Sequence, residues 1–228
     1  MAGGTGSRMG RPKQFIQLLG SPALLYSLRA FQDAPGVDRI YTVGDRARIE
    51  NVIAGAGIDK YAGCAEPGKT RSISTKNGLK LCEENEETIV LVQDGARCLV
   101  TSELVQRVID AAREDTDGVV PALPVSDTIK TAHNGSVLET LDRSKLHAVQ
   151  TPQAFRLGLL RDIHTASDDE LSLATDDASL VERKGGRISL VPGERTNIKL
   201  TSPEDIVLAE AILTARGVRG AGRYGARS

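Results

Sequence analysis

The sequence predicts an α/β fold: a mostly parallel, twisted sheet with flanking helices and one protruding β-hairpin arm. Two observations predict it. Apolar runs of strand length alternate with segments whose apolar residues recur every three or four positions, which is typical of βαβ units. One segment interrupts this alternation with two short strand-like pieces around Asn134-Gly135, a pair of residues that favours a tight hairpin turn.

The individual elements follow from these patterns. The predicted strands of the sheet are 39–43, 88–93, 118–122 and 188–191. The predicted helices are 24–31, 46–54, 72–82, 102–113 and 176–184, each with an apolar stripe for packing on a sheet. A last helix is expected after Ser202, because serine can cap a helix and Pro203 fits its first position.

The hairpin consists of segments 128–132 and 137–141. A hairpin cannot by itself extend a parallel sheet, so we expect it to project from the body as an arm over about 125–148. Such an arm is suited to contact a partner subunit of a homodimer. We expect a single domain over 1–215. The remaining segment, 216–228, holds four arginines, four glycines and no acid, and is predicted to be a disordered basic tail.

Composition excludes several classes of function. The 228 residues carry 29 basic and 30 acidic side chains, a net charge of −1, which argues against nucleic-acid binding by bulk electrostatics. No apolar run approaches the roughly 18 residues that cross a bilayer, so we expect no membrane partner and a cytoplasmic protein. The cysteines, Cys64, Cys82 and Cys98, show no C-x-x-C spacing and are predicted to be reduced thiols.

The first ten residues form a glycine-rich loop, Met1-Ala2-Gly3-Gly4-Thr5-Gly6-Ser7-Arg8-Met9-Gly10, which Pro12-Lys13 follows. Glycines let backbone N–H groups approach a phosphate closely, and Arg8 and Lys13 add positive charge. The pattern predicts a triphosphate site, although the glycines alone fit an ordinary glycine-rich start equally well. It is neither a P-loop nor a clean dinucleotide-binding motif.

Asp94 directly follows the predicted strand 88–93. In open α/β sheets, ligands bind at the carboxyl ends of the strands. A carboxylate at that edge suits Mg²⁺, and a turn or capping role is the alternative.

The glycine-rich loop with Pro12-Lys13-Gln14-Phe15, and six later blocks in the same order, resemble the 2-C-methyl-D-erythritol 4-phosphate cytidylyltransferase family. The blocks are Arg71-Ser72-Ile73-Ser74 before Asn77-Gly78-Leu79, Asp94-Gly95-Ala96-Arg97, Asp127-Thr128-Ile129-Lys130, Gln150-Thr151-Pro152-Gln153-Ala154-Phe155, Thr175-Asp176-Asp177-Ala178 and Asn197-Ile198-Lys199-Leu200-Thr201. The resemblance covers about 2–215. It implies a Rossmann-like nucleotidyltransferase fold and cytidylyl transfer from CTP to a sugar-alcohol phosphate in non-mevalonate isoprenoid biosynthesis, with release of pyrophosphate.

The resemblance also implies roles for individual residues. Arg8 and Lys13 match the pair that stabilises the transition state. The matches for nucleotide binding are Ala2, Gly3, Gly4, Gly6, Gly68, Arg71, Ser74, Asp94, Ala96 and Arg97, with Asp94 also the ligand of Mg²⁺. The second substrate matches Thr128, Arg143 and Lys199, and the arm would deliver Thr128 and Arg143 to the neighbouring subunit. His133, His147 and His164 show no consistent metal spacing and receive no role.

Three departures from the family pattern carry expectations of their own. Family members begin with an apolar strand before the loop, whereas this sequence starts at the loop, so a central strand is expected to be missing. The spacing of Arg8 and Lys13 is about two residues shorter than usual, which puts the reach of Lys13 in doubt. Cys98 stands where proline is common.

Two alternatives stay open. Ribitol 5-phosphate cytidylyltransferases share the loop and the Thr-Pro-Gln motif, although the blocks 175–182 and 141–144 favour methylerythritol phosphate. A non-catalytic nucleotide-binding scaffold is the other alternative, and the retained phosphate-facing charges argue against it.

Overall fold

The computed structural model describes residues 1–4 and 12–218. Within them the chain forms eleven strands and eight helices. The strands are β1 (Gln17–Leu18), β2 (Ser21–Pro22), β3 (Ile40–Val43), β4 (Tyr61–Ala65), β5 (Ile89–Val92), β6 (Gly118–Pro124), β7 (Lys130–His133), β8 (Ser136–Thr140), β9 (His147–Val149), β10 (Gln153–Arg156) and β11 (Ile188–Pro192). The helices are α1 (Ala23–Asp33), α2 (Arg46–Ile53), α3 (Arg71–Leu79), α4 (Ser102–Ala112), α5 (Leu157–Ile163), α6 (Asp168–Ser172), α7 (Asp177–Arg183) and α8 (Glu204–Ala215).

The main sheet has the order β11-β6-β10-β5, and β9 pairs with β6 outside this path. β11 runs parallel to β6, whereas β10 lies antiparallel between β6 and β5. β5, β6 and β11 therefore point in the same direction. All four predicted strands are present, and the predicted α/β class is confirmed. The segment 39–43, predicted as a member of the same sheet, instead forms β3 in a separate ladder. β10 was not predicted, because its short sequence, Gln153-Ala154-Phe155-Arg156, has too few apolar residues to stand out as a strand.

β3 and β4 form a second, two-stranded parallel ladder. The first two residues of the chain connect it to the main sheet. The Met1 amino group donates to the Gln93 carbonyl at 2.8 Å, and the Gly95 amide donates to the Met1 carbonyl at 2.8 Å. The Ala2 amide donates to the Val43 carbonyl at 2.7 Å. This is the hydrogen-bond pattern of a parallel strand, so Met1 lies across from Asp94 between the two ladders.

An apolar cavity of about 280 Å³ lies between β3 and β5, next to Met1. Leu28, Leu79 and Leu91 line it together with backbone of both strands. An apolar strand running into the glycine-rich loop, as expected from the sequence resemblance, would lie in this cavity. Since the edges of β3 and β5 face this space, the two ladders are joined there only by the Met1–Ala2 bonds among the described residues.

Helices cover the sheet through separate apolar clusters. α1 and α4 pack on one side, with Leu104, Val105 and Val108 of α4 fully buried. α5 and α7 pack with α3 in a second cluster. None of the described helices is both long and apolar enough to cross a membrane.

α8 closes a third cluster with Leu99, Leu200 and Cys98. α8 begins at Glu204, and Pro203 rather than Ser202 is its N-cap; the Asp205 carboxylate accepts from the Ser202 amide at 2.8 Å. Burial raises the pKa of the Cys98 thiol to about 12, so this departure from the family pattern is a neutral, buried side chain.

The arm is an antiparallel hairpin of β7 and β8, and all residues of both strands are exposed. Asn134 and Gly135 have φ values of 48° and 80°, as the primed hairpin turns require. The predicted hairpin is therefore present. Of the tail, Arg216 donates to the Leu99 carbonyl at 2.8 Å, and residues 219–228 lie outside the described part of the chain.

Candidate active site

The glycine-rich start lies against segment 66–68. A Cβ on Gly3 would stand 2.4 Å from Pro67 Cβ, so only glycine fits at this position. The Gln14 side chain donates to the carbonyls of Ala2 at 2.6 Å and Gly4 at 3.1 Å, which holds the backbone in place. Gly6 and Arg8, both predicted from the sequence, lie outside the described residues.

A groove of about 460 Å³ opens beside Gly3 and Gly4. Asp45, Arg46, Arg48 and Glu66 line it, so its described walls carry as many acidic as basic groups. We therefore expect the positive charge for a triphosphate to come from Arg8 and Lys13. Lys13 is the first residue of the 3₁₀ turn Lys13–Phe15, and it directly follows Pro12, where the described part of the chain resumes.

The second predicted nucleotide segment is a tight turn before α3. Thr70 caps the helix by accepting from the Ile73 amide at 3.3 Å. The Gly68 amide donates to Ser74 Oγ at 2.9 Å, and Ser74 Oγ donates to the Thr70 carbonyl at 2.8 Å. Ser74 is buried, and its hydrogen bonds hold this turn in place. The turn leads directly into α3, whose first residue is Arg71.

Three of the predicted residues meet at the end of β5. Arg71 Nε donates to Asp94 Oδ1 at 2.9 Å, and Lys199 Nζ donates to Asp94 Oδ2 at 2.7 Å. Burial alone would raise the pKa of Asp94, but the charges of Arg71 and Lys199 outweigh it and hold this pKa well below its usual range. The carboxylate is thus ionised and lies between two cations.

Two residues that the sequence reasoning missed extend this group into the core. Arg71 Nη1 donates to Asp177 Oδ2 at 2.5 Å, and His164 Nε2 lies 3.0 Å from Asp177 Oδ1. Asp177 is fully buried and His164 almost so. Burial opposes the charge of Asp177, but the His164 hydrogen bond and the charge of Arg71 lower its pKa. His164 was given no role from the sequence, because its partner is 13 residues away on another helix.

Arg97 and Ala96 hold the segment that carries Lys199. Arg97 Nη1 donates to the Asn197 carbonyl at 2.8 Å, and its Nη2 donates to the Val149 carbonyl at 3.0 Å. The Ala96 carbonyl accepts from the Leu200 amide at 2.8 Å. These contacts fix the backbone on both sides of Lys199 and direct its ammonium group to Asp94.

The profile of the 2-C-methyl-D-erythritol 4-phosphate cytidylyltransferase family matches residues 1–215. The chain belongs to this family. A relative of that name from Rubrobacter xylanophilus is 63% identical over 220 residues, which are 96% of this chain and 95% of the relative. A second, from Bacillus velezensis, is 43% identical over 94% of each chain.

Solved structures of the family agree with the fold. The 2-C-methyl-D-erythritol 4-phosphate cytidylyltransferase of Thermus thermophilus superposes with a TM-score of 0.74 at 34% identity, over 89% of this chain and 94% of that one. The Francisella tularensis protein gives a TM-score of 0.79 at 28% identity, over 92% and 95%. The predicted nucleotidyltransferase fold is confirmed, and the chain is a nucleotidyltransferase.

The residues implied by the family for the second substrate are divided in this chain. Lys199 lies in the group around Asp94, whereas Thr128 is exposed before β7 and Arg143 lies in the 3₁₀ turn after β8. Arg143 Nη1 donates to the Ser126 carbonyl at 2.7 Å. No hydrogen bond within the described residues connects Thr128 or Arg143 to Asp94.

Asp94 was also predicted to bind a metal. In the described part of the chain, no three His, Cys, Asp or Glu side chains gather to hold an ion by themselves. A family member needs no such cage, because Mg²⁺ commonly binds through one or two carboxylates together with substrate phosphates. The single ionised carboxylate of Asp94, at the sheet edge beside the glycine-rich start, fits a divalent ion that enters with a triphosphate.

Proposed function

We propose that Asp94, with Arg71 and Lys199, forms the centre at which this enzyme transfers a cytidylyl group from CTP to 2-C-methyl-D-erythritol 4-phosphate. The observation that carries the proposal is the ion-pair group at the carboxyl end of β5, next to the glycine-rich start, in a chain of this family. A phosphate oxygen of the alcohol attacks the α-phosphorus of CTP. The bond from that phosphorus to the bridging oxygen breaks, which releases pyrophosphate and leaves the CDP-alcohol.

Catalysis of this reaction depends on positioning and on stabilisation of negative charge rather than on a nucleophilic side chain. Arg8 and Lys13 carry the charge opposite the triphosphate. Lys199, whose side chain is 44% exposed, can exchange its contact with Asp94 for the phosphate of the second substrate. Arg71 is largely buried and stays with the nucleotide side of the site.

Mg²⁺ is the metal that we assign to Asp94. Asp94 is the residue that would hold the ion, which would supply positive charge to offset part of the negative charge of the triphosphate. The chain's own contribution is to keep Asp94 ionised, which Arg71 and Lys199 ensure. Turnover is expected to require Mg²⁺ and to disappear when EDTA is added in excess.

Pyrophosphate release is the direct test of the activity. The protein is incubated with CTP, Mg²⁺ and either methylerythritol phosphate or ribitol 5-phosphate. We expect release with methylerythritol phosphate and at least tenfold less with ribitol phosphate. Faster release with ribitol phosphate would assign the enzyme to the other substrate. CTP binding without release with either alcohol would identify a non-catalytic scaffold.

We also infer that the arm, about 125–148, joins two chains and completes the site of the neighbouring subunit. Val137 and Leu138 are 58% and 69% exposed on it, and apolar side chains of this size favour burial against a partner. Thr128 and Arg143 lie at the base of the arm, and no hydrogen bond among the described residues joins either of them to Asp94 of their own chain. A symmetric dimer would place both at the partner's site.

Mixing two inactive variants tests this shared site. Arg143→Ala chains are combined with Lys13→Ala chains under conditions that allow subunit exchange. A mixed dimer has one site with both lesions and one intact site. Random exchange of equal amounts makes about half of the dimers mixed, so activity should return to about a quarter of the wild-type value per site. Demonstrated exchange without recovery of activity would mean that Arg143 acts within its own chain.

The single domain is assigned to 1–215 and the cellular location to the cytoplasm. Cys64, Cys82 and Cys98 are all free thiols, which suits a reducing compartment.

A further inference from the structure

A line of hydrogen-bonded side chains runs from the core to the candidate active site. It starts at His164, continues through Asp177 and Arg71, and ends at Asp94 and Lys199. Each oxygen of the Asp177 carboxylate has one partner, His164 Nε2 on Oδ1 and Arg71 Nη1 on Oδ2. The line therefore begins at a histidine that is buried in the core and does not line the groove beside Gly3 and Gly4.

The geometry determines which nitrogen of the His164 ring donates to Asp177. A carboxylate oxygen can only accept, so Nε2 carries the hydrogen and donates it to Asp177. His164 Nδ1 has no hydrogen-bond partner in the described part of the chain. The ring consequently has one polar contact, and that contact is with the carboxylate that holds Arg71.

Arg71 needs both carboxylates to keep one orientation. Its Nε is bonded to Asp94 and its Nη1 to Asp177, so the planar guanidinium is fixed at two of its three nitrogens. Rotation of the Asp177 carboxylate would release Nη1. His164 opposes that rotation, because its hydrogen bond fixes the other carboxylate oxygen.

We propose that His164 is a positioning residue for nucleotide binding: through Asp177 it fixes the guanidinium of Arg71 beside Asp94. The proposal rests on the proposed function in that it assigns Arg71 to the CTP site. Partners in the outer shell commonly change ligand affinity by about tenfold or more when they are lost at metal sites, and a similar effect is expected here.

Two substitutions of His164 by residues with an amide side chain distinguish a positioning role from a role in core packing alone. In His164→Gln the amide nitrogen reaches the place of Nε2 and can still donate to Asp177, whereas the shorter side chain in His164→Asn cannot. We expect His164→Asn to weaken CTP binding by about tenfold, with KM for methylerythritol phosphate within about twofold of wild type. His164→Gln should bind CTP within about threefold of wild type.

Ile163→Val provides the matched control. Ile163 is the buried residue next to His164 and takes no part in the line of hydrogen-bonded side chains. This variant should lower the melting temperature while leaving CTP affinity within about twofold. If His164→Asn behaves in the same way, the histidine serves packing alone and the proposal is wrong.

A second measurement does not depend on activity. The NMR signal of the Arg71 Nε–H should be a single, slowly exchanging resonance in the wild type and in His164→Gln, and should broaden or exchange faster in His164→Asn. An unchanged signal in His164→Asn would overturn the proposal. If the wild type binds CTP but forms no CDP-alcohol, the proposed function fails, while the CTP affinities and the Arg71 signal still decide the role of His164.

Discussion

Asp94→Asn is expected to reduce kcat/KM for cytidylyl transfer by roughly a hundredfold or more, the scale of losing one electrostatic contact to the reacting group. The substitution keeps the shape of the side chain but removes the charge between Arg71 and Lys199, and its NH₂ group cannot accept from either of them. It also removes the carboxylate assigned to Mg²⁺. The measurement is pyrophosphate release at several CTP and Mg²⁺ concentrations.

The matched control is Asp168→Asn. Asp168 also pairs with a lysine, Lys76 at 3.2 Å, but its side chain is 64% exposed and lies on α6. An exposed ion pair of this kind contributes little, so activity should stay within about twofold of wild type. Because Asp94 is nearly buried, its variant should also melt at a lower temperature, and circular dichroism shows whether it is folded. A folded Asp94→Asn protein with activity within about tenfold of wild type would remove Asp94 from the centre of the mechanism.

A chain extended before Met1 by about six residues rich in Val and Ile is expected to melt roughly 10 °C higher than the 228-residue chain. The added residues would continue the parallel pairing that Met1 and Ala2 begin and would fill the cavity of about 280 Å³ between β3 and β5. A net gain of a few kcal/mol from burial and pairing corresponds to about this shift for a domain of this size. Turnover should rise as well, because Met1 lies across from Asp94.

An extension of the same length made of Gly and Ser is the control. At pH 8 it should leave the melting temperature within about 2 °C, because it adds no apolar side chain to fill the cavity.

The pH dependence of stability provides a second check. Burial lowers the pKa of the Met1 amino group from 8.0 to about 6, so the unfolded chain binds more protons between these values. Stability of the unextended chain therefore rises from about pH 6 to pH 8. Extending the chain converts this amine to a peptide N–H. The rise in melting temperature on extension should therefore be larger near pH 6 than near pH 8. Equal melting temperatures for the apolar and the Gly-Ser extensions would contradict the prediction.

Features that depend on neighbouring residues were predictable from the sequence. The turn at Asn134-Gly135 follows from the ability of both residues to adopt positive φ, and the arm follows from the absence of a place for a hairpin in a parallel sheet. α4 was predictable from apolar residues at three- and four-residue spacing, and β5 and β6 were predictable from apolar runs of strand length. Asp94 was identified because a carboxylate at the end of such a strand lies at the ligand-binding edge.

Other features required the folded chain. β10 is a strand because β5 and β6 pair with it on both sides, and β4 is one because β3 pairs with it. Their own sequences, with Gln153 and Gly63, give little strand signal. The family resemblance placed Ser74 and Arg97 at the nucleotide. The structure shows in addition that Ser74 orders the turn before α3 and that Arg97 anchors the segment of Lys199.

The sequence by itself determined the α/β class, the hairpin arm, the glycine-rich start and the position of Asp94, because these depend on residues close together in the chain and on their periodicity. Only the tertiary structure decided that Arg71 lies between Asp94 and Asp177, and that His164 stands behind Asp177. Arg71 and Asp177 are 106 residues apart, so their contact depends on how α3 and α7 pack into the same apolar cluster. Because these side chains are buried, each depends on its partner for stabilisation, and the local sequence does not show this dependence.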